Sequence, residues 1–151
     1  MVKEFAVDRL VNILLEHNAI GLVNLAGDIG VTGLQPDRTP WHISIVHPRE
    51  TSQVIATVPL YEGAIACSGD YERFMLVNGQ RYHHIINPKS GYPSLESLAS
   101  VSVIGQKCLM AGSISTIAML KGAQAQCWLQ DMELPYLAVT TDLSIFGSIE
   151  V

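Results

Sequence analysis

Asn78 and Gly79, set between two strand-like runs, constrain this chain more than any other pair of neighbours. A two-residue reversal whose twist suits an antiparallel pair needs φ > 0 at both central positions, and Asn-Gly accepts that at little steric cost. Tyr71 to Val77 and Gln80 to Ile86 are therefore predicted to form a hairpin. The turn sets its register: Val77 faces Gln80, Met75 faces Tyr82, Phe74 faces His83 and Arg73 faces His84. Side chains alternate along a strand, so His84 shares a face with Arg73, Tyr82 and Tyr71, and His83 shares the other with Phe74, Glu72 and Arg81. At most one of the two histidines enters a common site. Ser68-Gly69-Asp70 leads into the hairpin and Asn87-Pro88-Lys89-Ser90-Gly91 leads out. Such loops can offer backbone N–H groups, a hydroxyl and a carboxylate to an anionic ligand, although residues of these types more often only make turns.

The remaining pattern places the elements around that hairpin. Lys3 to Asn18 carries Phe5, Val7, Leu10, Val11, Leu14 and Leu15 at helical spacing. Ala19 to Ile29 reads as a buried strand running into a tight turn at Ala26-Gly27-Asp28; Gly27 lets a ligand approach the main chain, and Asn24 and Asp28 supply polar contacts. Trp41 to His47, Val54 to Leu60 and Gly63 to Cys67 read as strands, the first with His42 and Ser44 on one face and Trp41, Ile43 and Ile45 on the other. Beyond the hairpin come a strand at Ala99 to Ile104 and a helix at Cys108 to Leu120 packed along Leu109, Ile114, Ile117 and Leu120. A short helix around Ala123 to Leu129 and strands at Tyr136 to Thr140 and Leu143 to Glu150 complete the chain, with Asp142 in the last turn. Runs of adjacent strands with few helices predict an α+β fold with a mixed or antiparallel sheet.

Composition narrows the function classes. With 151 residues, 48% hydrophobic and 15% charged, the chain has enough apolar surface for a single domain spanning residues 1–151. A formal charge of −5 without a Lys/Arg cluster argues against nucleic acid as a partner. No apolar run reaches the roughly 18 to 20 residues of a membrane span, and the N-terminus lacks a signal-peptide pattern, so a cytoplasmic location is expected. Cys67, Cys108 and Cys127 are widely spaced and odd in number, which favours free thiols over a disulfide or zinc framework.

SGDYERF, the Asn-Gly turn and RYHHIINPKSGYP together resemble the central signature of the ApbE family, the FAD:protein FMN transferases, whose members read SGDYERFF and then YHHIIDPRTG. Val2 to Asp8 is similar to a family stretch that ends a Gly-rich motif in Ala-Lys-Gly and continues Tyr-Ala-Val-Asp. Ala26-Gly27-Asp28-Ile29 resembles the family's Asn-x-Gly-Gly-Asp-Ile turn with one glycine replaced by Ala26, and Ala111 to Ile117 resembles Ala-Asp-Ala-Leu-Ser-Thr-Ala.

The resemblance implies an ApbE-like fold, FAD as substrate, transfer of its FMN moiety to a threonine or serine of a target flavoprotein, release of AMP and a requirement for magnesium. It implies His84, with His83 as the second candidate, as base or phosphate contact, since imidazole titrates near neutrality. It implies Asp8, Asn24, Gly27, Asp28, Ser68, Gly69, Asp70 and Arg73 as FAD-binding residues. In the family helix an aspartate and a threonine four residues later, one turn apart, hold the divalent cation. Thr116 matches that threonine, but Gly112 stands where the aspartate belongs, so magnesium binding is expected to be weak or absent. Glu4 replaces a family glycine and Asn87 an aspartate. Family members carry a comparable length upstream, so the expectation is a truncated or diverged transferase, with a non-catalytic flavin- or nucleotide-binding or assembly domain as the alternative. Apolar surface left exposed by half a pocket implies a homo-oligomer. Relatives of this kind are commonly envelope lipoproteins, which stands against the cytoplasmic default.

Overall fold

The computed structural model describes residues 1–94 and 98–150. The amphipathic N-terminal stretch forms α1 (Val2–Glu16), and β1 (Leu22–Leu25) and β2 (Asp28–Val31) follow as a hairpin. One strand was expected over that second segment; the turn at Ala26 and Gly27, with φ of 50° and 89°, divides it in two. Next come β3 (Trp41–Val46), β4 (Val54–Leu60), β5 (Gly63–Gly69), β6 (Phe74–Val77), β7 (Gln80–His83) and β8 (Leu98–Gly105). Helix α2 (Cys108–Lys121), a 3-10 turn at Gly122–Gln124, α3 (Ala125–Asp131), β9 (Tyr136–Thr140) and β10 (Ile145–Gly147) complete the described order.

Six strands form one sheet in the order β1-β2-β5-β8-β9-β10, and every pairing in it is antiparallel. The fold is α+β. The helices cover one face and the β3–β4 ribbon covers the other, so the central strands are buried on both sides and their alternation sorts residues between two cores. On β5, Ala64 and Ala66 join the helix-side core and Ile65 joins the ribbon-side core. On β9, Tyr136 and Ala138 face the helix side and Leu137 the ribbon. Ile43 and Ile45 of β3 are buried while His42 and Ser44 are exposed, as the alternation required.

The helices lie closer to the sheet than their large apolar residues suggested. A Cβ at Gly30 of β2 would stand 2.9 Å from Val7 Cγ1 and 2.9 Å from Val11 Cγ2, so the absence of a side chain there lets α1 settle on the strand. Helix α2 buries Cys108, Ala111, Gly112, Ser115, Ala118 and Met119, whereas Leu109, Ile114 and Leu120 are half-buried and Ile117 is 39% exposed. The expected packing face of α2 is corrected in part: Ile114 and Leu120 do pack against the core, while Ile117 is exposed. A stripe of mostly small side chains permits close approach to β5 and β8, and the bulky aliphatics are turned to its flanks.

The β6–β7 hairpin has the predicted register, from Val77 opposite Gln80 to Phe74 opposite His83, and the His84 amide donates to the Arg73 carbonyl at 3.1 Å. Asn78 and Gly79 have φ of 51° and 78°. The ribbon is shorter than the two runs suggested and pairs with no other strand among the described residues. All four residues of β6 are exposed, and the Arg81 guanidinium lies 3.7 Å from the centre of the Phe74 ring on the face they share.

Candidate active site

A cleft of about 860 Å³ opens between the first turn of α1, the β1–β2 turn, β3, the C-terminal end of β5 and the base of the β6–β7 hairpin. Asn24, Gly27, Asp28, Ser68, Gly69, Arg73, His84 and Thr116 line it. Asp8, Asp70 and His83 do not, and each has a different physical reason.

Asp8 is taken up by helix α2. Its Oδ1 accepts the Cys108 amide at 2.8 Å and its Oδ2 the Leu109 amide at 3.0 Å. Lys107, at the N-cap, makes no side-chain capping bond, so α1 supplies the carboxylate that satisfies these amides and faces the positive end of the helix. The ligand-facing role expected of Asp8 gives way to that of a cap.

Asp70 is 3% exposed and is held by both guanidinium nitrogens of Arg49, at 2.5 and 2.8 Å. This forked pair fastens the loop after β5 to the turn between β3 and β4. Asp70 therefore positions the chain next to the cleft and lines none of it.

The two histidines divide as the alternation demanded. His83 is 4% exposed; its Nδ1 accepts the Ile85 amide at 3.2 Å, which leaves Nε2 to donate to the Ser94 carbonyl at 3.3 Å. Backbone groups occupy both ring nitrogens, and burial pushes the imidazole below its ordinary value of 6.5. His84 is exposed and lines the cleft. Its Nδ1 lies 3.2 Å from the Arg73 carbonyl, which can only accept, so Nδ1 carries a proton and the neutral ring would have its lone pair on Nε2.

The cleft floor is rich in oxygen. Ser68 Oγ lies 2.8 Å from Ser115 Oγ and 3.2 Å from Thr116 Oγ1, joining the end of β5 to the middle of α2. Asp28, 3% exposed, accepts from Lys3 Nζ at 2.9 Å and from the Cys67 amide at 3.4 Å. Burial raises the Asp28 carboxyl above its ordinary 3.8; Lys3 opposes this, and the nearby Glu4 charge adds to it. At the β1–β2 turn the Asn24 side-chain oxygen accepts the Gly27 amide at 2.9 Å. Above Ser68, a Cβ at Gly69 would stand 2.3 Å from Tyr71 Cε1, so glycine there is what lets the Tyr71 ring fold against the strand and line the cleft.

Lys3, Tyr71 and Ser115 belong to this site and were not among its expected residues; Glu4, noted from the sequence only as a departure from a family glycine, belongs to it too. For Glu4 a signal existed: it precedes Asp8 by four residues and so shares its helix face, one turn nearer the cleft. The family pattern drew attention to Asp8, and only the placement of α1 against α2 shows that the neighbouring turn reaches the cavity.

Backbone turns, hydroxyls, the carboxylates of Glu4, Asp28 and Glu72 and the His84 imidazole are gathered in one cleft of an antiparallel α+β domain. The chain belongs to the ApbE family, whose pattern matches residues 1–139. It is 32% identical over 139 residues to the FAD:protein FMN transferase of Treponema pallidum, covering 85% of this chain and 38% of that protein. To the FAD:protein FMN transferase of Haemophilus influenzae it is 32% identical over 147 residues, covering 94% of this chain and 42% of the relative. Among solved structures, the ApbE protein of Thermotoga maritima matches with a TM-score of 0.87 at 35% identity, over 97% of this chain and 48% of that one. The apo form of the Pseudomonas stutzeri flavinyl transferase ApbE matches with a TM-score of 0.83 at 28% identity, over 96% and 46%. The chain thus spans less than half the length of these relatives. No helix among the described residues is long and apolar enough to cross a membrane.

Proposed function

We propose that residues 1–151 act as one flavin-handling domain, diverged from the full-length transferases, that binds FAD by its diphosphate and transfers FMN to a threonine or serine hydroxyl of a target protein. One observation carries this reading: residues scattered from Asn24 to Thr116 in sequence line a common cleft, together with the loops on both sides of the Asn-Gly hairpin.

The chemistry follows from the groups present. The acceptor hydroxyl oxygen attacks the flavin-side phosphorus, the bond from that phosphorus to the bridging oxygen breaks, and AMP leaves with the bridging oxygen. His84 Nε2 takes the hydroxyl proton, because its partner nitrogen is tied to the Arg73 carbonyl. Gly27 brings the main chain to the ligand, and Arg73 at the rim faces the negative charge. A divalent cation, when bound, would neutralise diphosphate charge, and the oxygen donors of Thr116, Ser68 and Asp28 suit a hard cation. Exposed Val2 and Phe5 on α1 and Met75 and Leu76 on β6 support self-association into a homo-oligomer.

Titration of the purified chain with FAD, read by flavin fluorescence, tests binding; mass measurement of released AMP tests turnover. Saturable binding is expected, with AMP release lost in His84→Ala and retained in His83→Gln. Absence of FAD binding overturns the proposal. Binding without AMP release leaves the non-catalytic flavin-binding domain as the better description.

A further inference from the structure

Two departures from the family pattern meet in space. A Cβ at Gly112 would stand 2.7 Å from Glu4 Cγ, 3.2 Å from Glu4 Cδ and 3.0 Å from Glu4 Oε1. The volume that a side chain at position 112 would claim is filled by the carboxyl end of Glu4, which arrives from α1 instead of α2. Each change makes room for the other: with an aspartate at 112, the Glu4 carboxylate would have to leave, and with glycine at both positions the site would hold no carboxylate there.

The carboxylate is placed for use. The Glu4 side chain is 12% exposed. Its Oε2 is shut from solvent and, apart from the Met1 ammonium nitrogen at 2.5 Å, meets no donor among the described residues. Glu4, Asp28, Ser68 and Thr116 all line the same cleft, and Thr116 lies one helical turn beyond Gly112. These are oxygen donors of the kind a hard divalent cation takes, so the residues present fit such an ion.

We propose that Glu4 supplies, from α1, the carboxylate oxygen for a divalent cation that position 112 lacks, so that the ligand has been relocated and not lost. The inference deepens the flavin-transferase reading, on which the diphosphate as the cation's second partner rests. It also replaces the expectation of weak or absent magnesium, which followed from Gly112 taken alone.

The test is Mn²⁺ binding to the intact chain, read by loss of the free-ion electron paramagnetic resonance signal, with and without FAD. Three proteins are compared: the natural sequence, Glu4→Gln, and the double variant Glu4→Ala with Gly112→Asp. Circular dichroism melts establish that each is folded. Glu4→Gln is expected to weaken Mn²⁺ at least tenfold, and the double variant to bind within about threefold of the natural sequence. The proposal is overturned if the natural sequence binds no Mn²⁺, if folded Glu4→Gln binds it equally well, or if the double variant fails to regain it. FAD binding, read separately, keeps the two claims apart: Glu4-dependent Mn²⁺ binding without FAD binding sinks only the flavin reading, and FAD binding with Glu4-independent Mn²⁺ binding sinks only the relocation.

Discussion

The β1–β2 and β6–β7 hairpins reverse through nearly the same backbone, with φ near 50° and then 89° or 78° at their central residues, yet end in opposite circumstances. Strand β2 is buried along its whole length between α1 and the β3–β4 ribbon, whereas every residue of β6 is exposed. Turn chemistry makes a hairpin in both places; what the hairpin then packs against depends on its neighbours in the sheet. Gly30 admits α1 against β2, whereas the β6–β7 ribbon pairs with no other strand among the described residues. The exposed ribbon is instead tied down at its root, where Arg49 holds Asp70.

That contrast can be broken most severely at the root. Arg49→Ala leaves Asp70 buried without its partner and is expected to cost about 3 kcal/mol, read as a lower urea midpoint with unchanged slope. A loss under about 1 kcal/mol, the range of an exposed pair, would show that the hairpin is not anchored there.

The two turns offer a sharper, smaller comparison. Ala26 occupies the left-handed region at φ 50°, so Ala26→Gly is expected to raise stability by about 1 kcal/mol. Gly79→Ala is expected to lower it by about 1 kcal/mol. Equal signs in the two melts would mean that one of the turns is not the reversal described. The smallest effect belongs to the ribbon surface: Leu76→Ser, at 63% exposure, should change stability by no more than about 0.5 kcal/mol. In sedimentation the same substitution should weaken self-association; a chain that is monomeric at micromolar concentration before any substitution would remove the homo-oligomer from consideration.

Much of this was readable from local pattern. The Asn78-Gly79 register, the extent of α1 and the strand alternation at Trp41 to Val46 follow from φ preferences and period-two or period-3.6 spacing, which act within a few residues. The partition of His83 from His84 came from the same alternation, and the structure adds why His83 is closed, through the Ile85 amide and the Ser94 carbonyl. Two readings are changed by contacts that local pattern cannot reach. Helix α2 was expected to pack along Leu109, Ile114, Ile117 and Leu120; Ile114 and Leu120 do touch the core, but the fully buried stripe is Ala111, Gly112, Ser115, Ala118 and Met119, whose mostly small side chains let the helix approach the sheet closely. Asp8 was read as facing a ligand, and its carboxylate is spent on the amides of Cys108 and Leu109.

By itself, then, the order of residues determined which segments turn, which alternate and which coil, since those preferences are settled between near neighbours. The tertiary structure alone decided the employment of Asp8 and Glu4. Asp8 meets an amide 100 positions away, and Glu4 fills the space over Gly112, because two helices distant in sequence come to lie on one face of the same sheet. Contacts of that range are products of packing, which sums over the whole chain and is written at no single position in it.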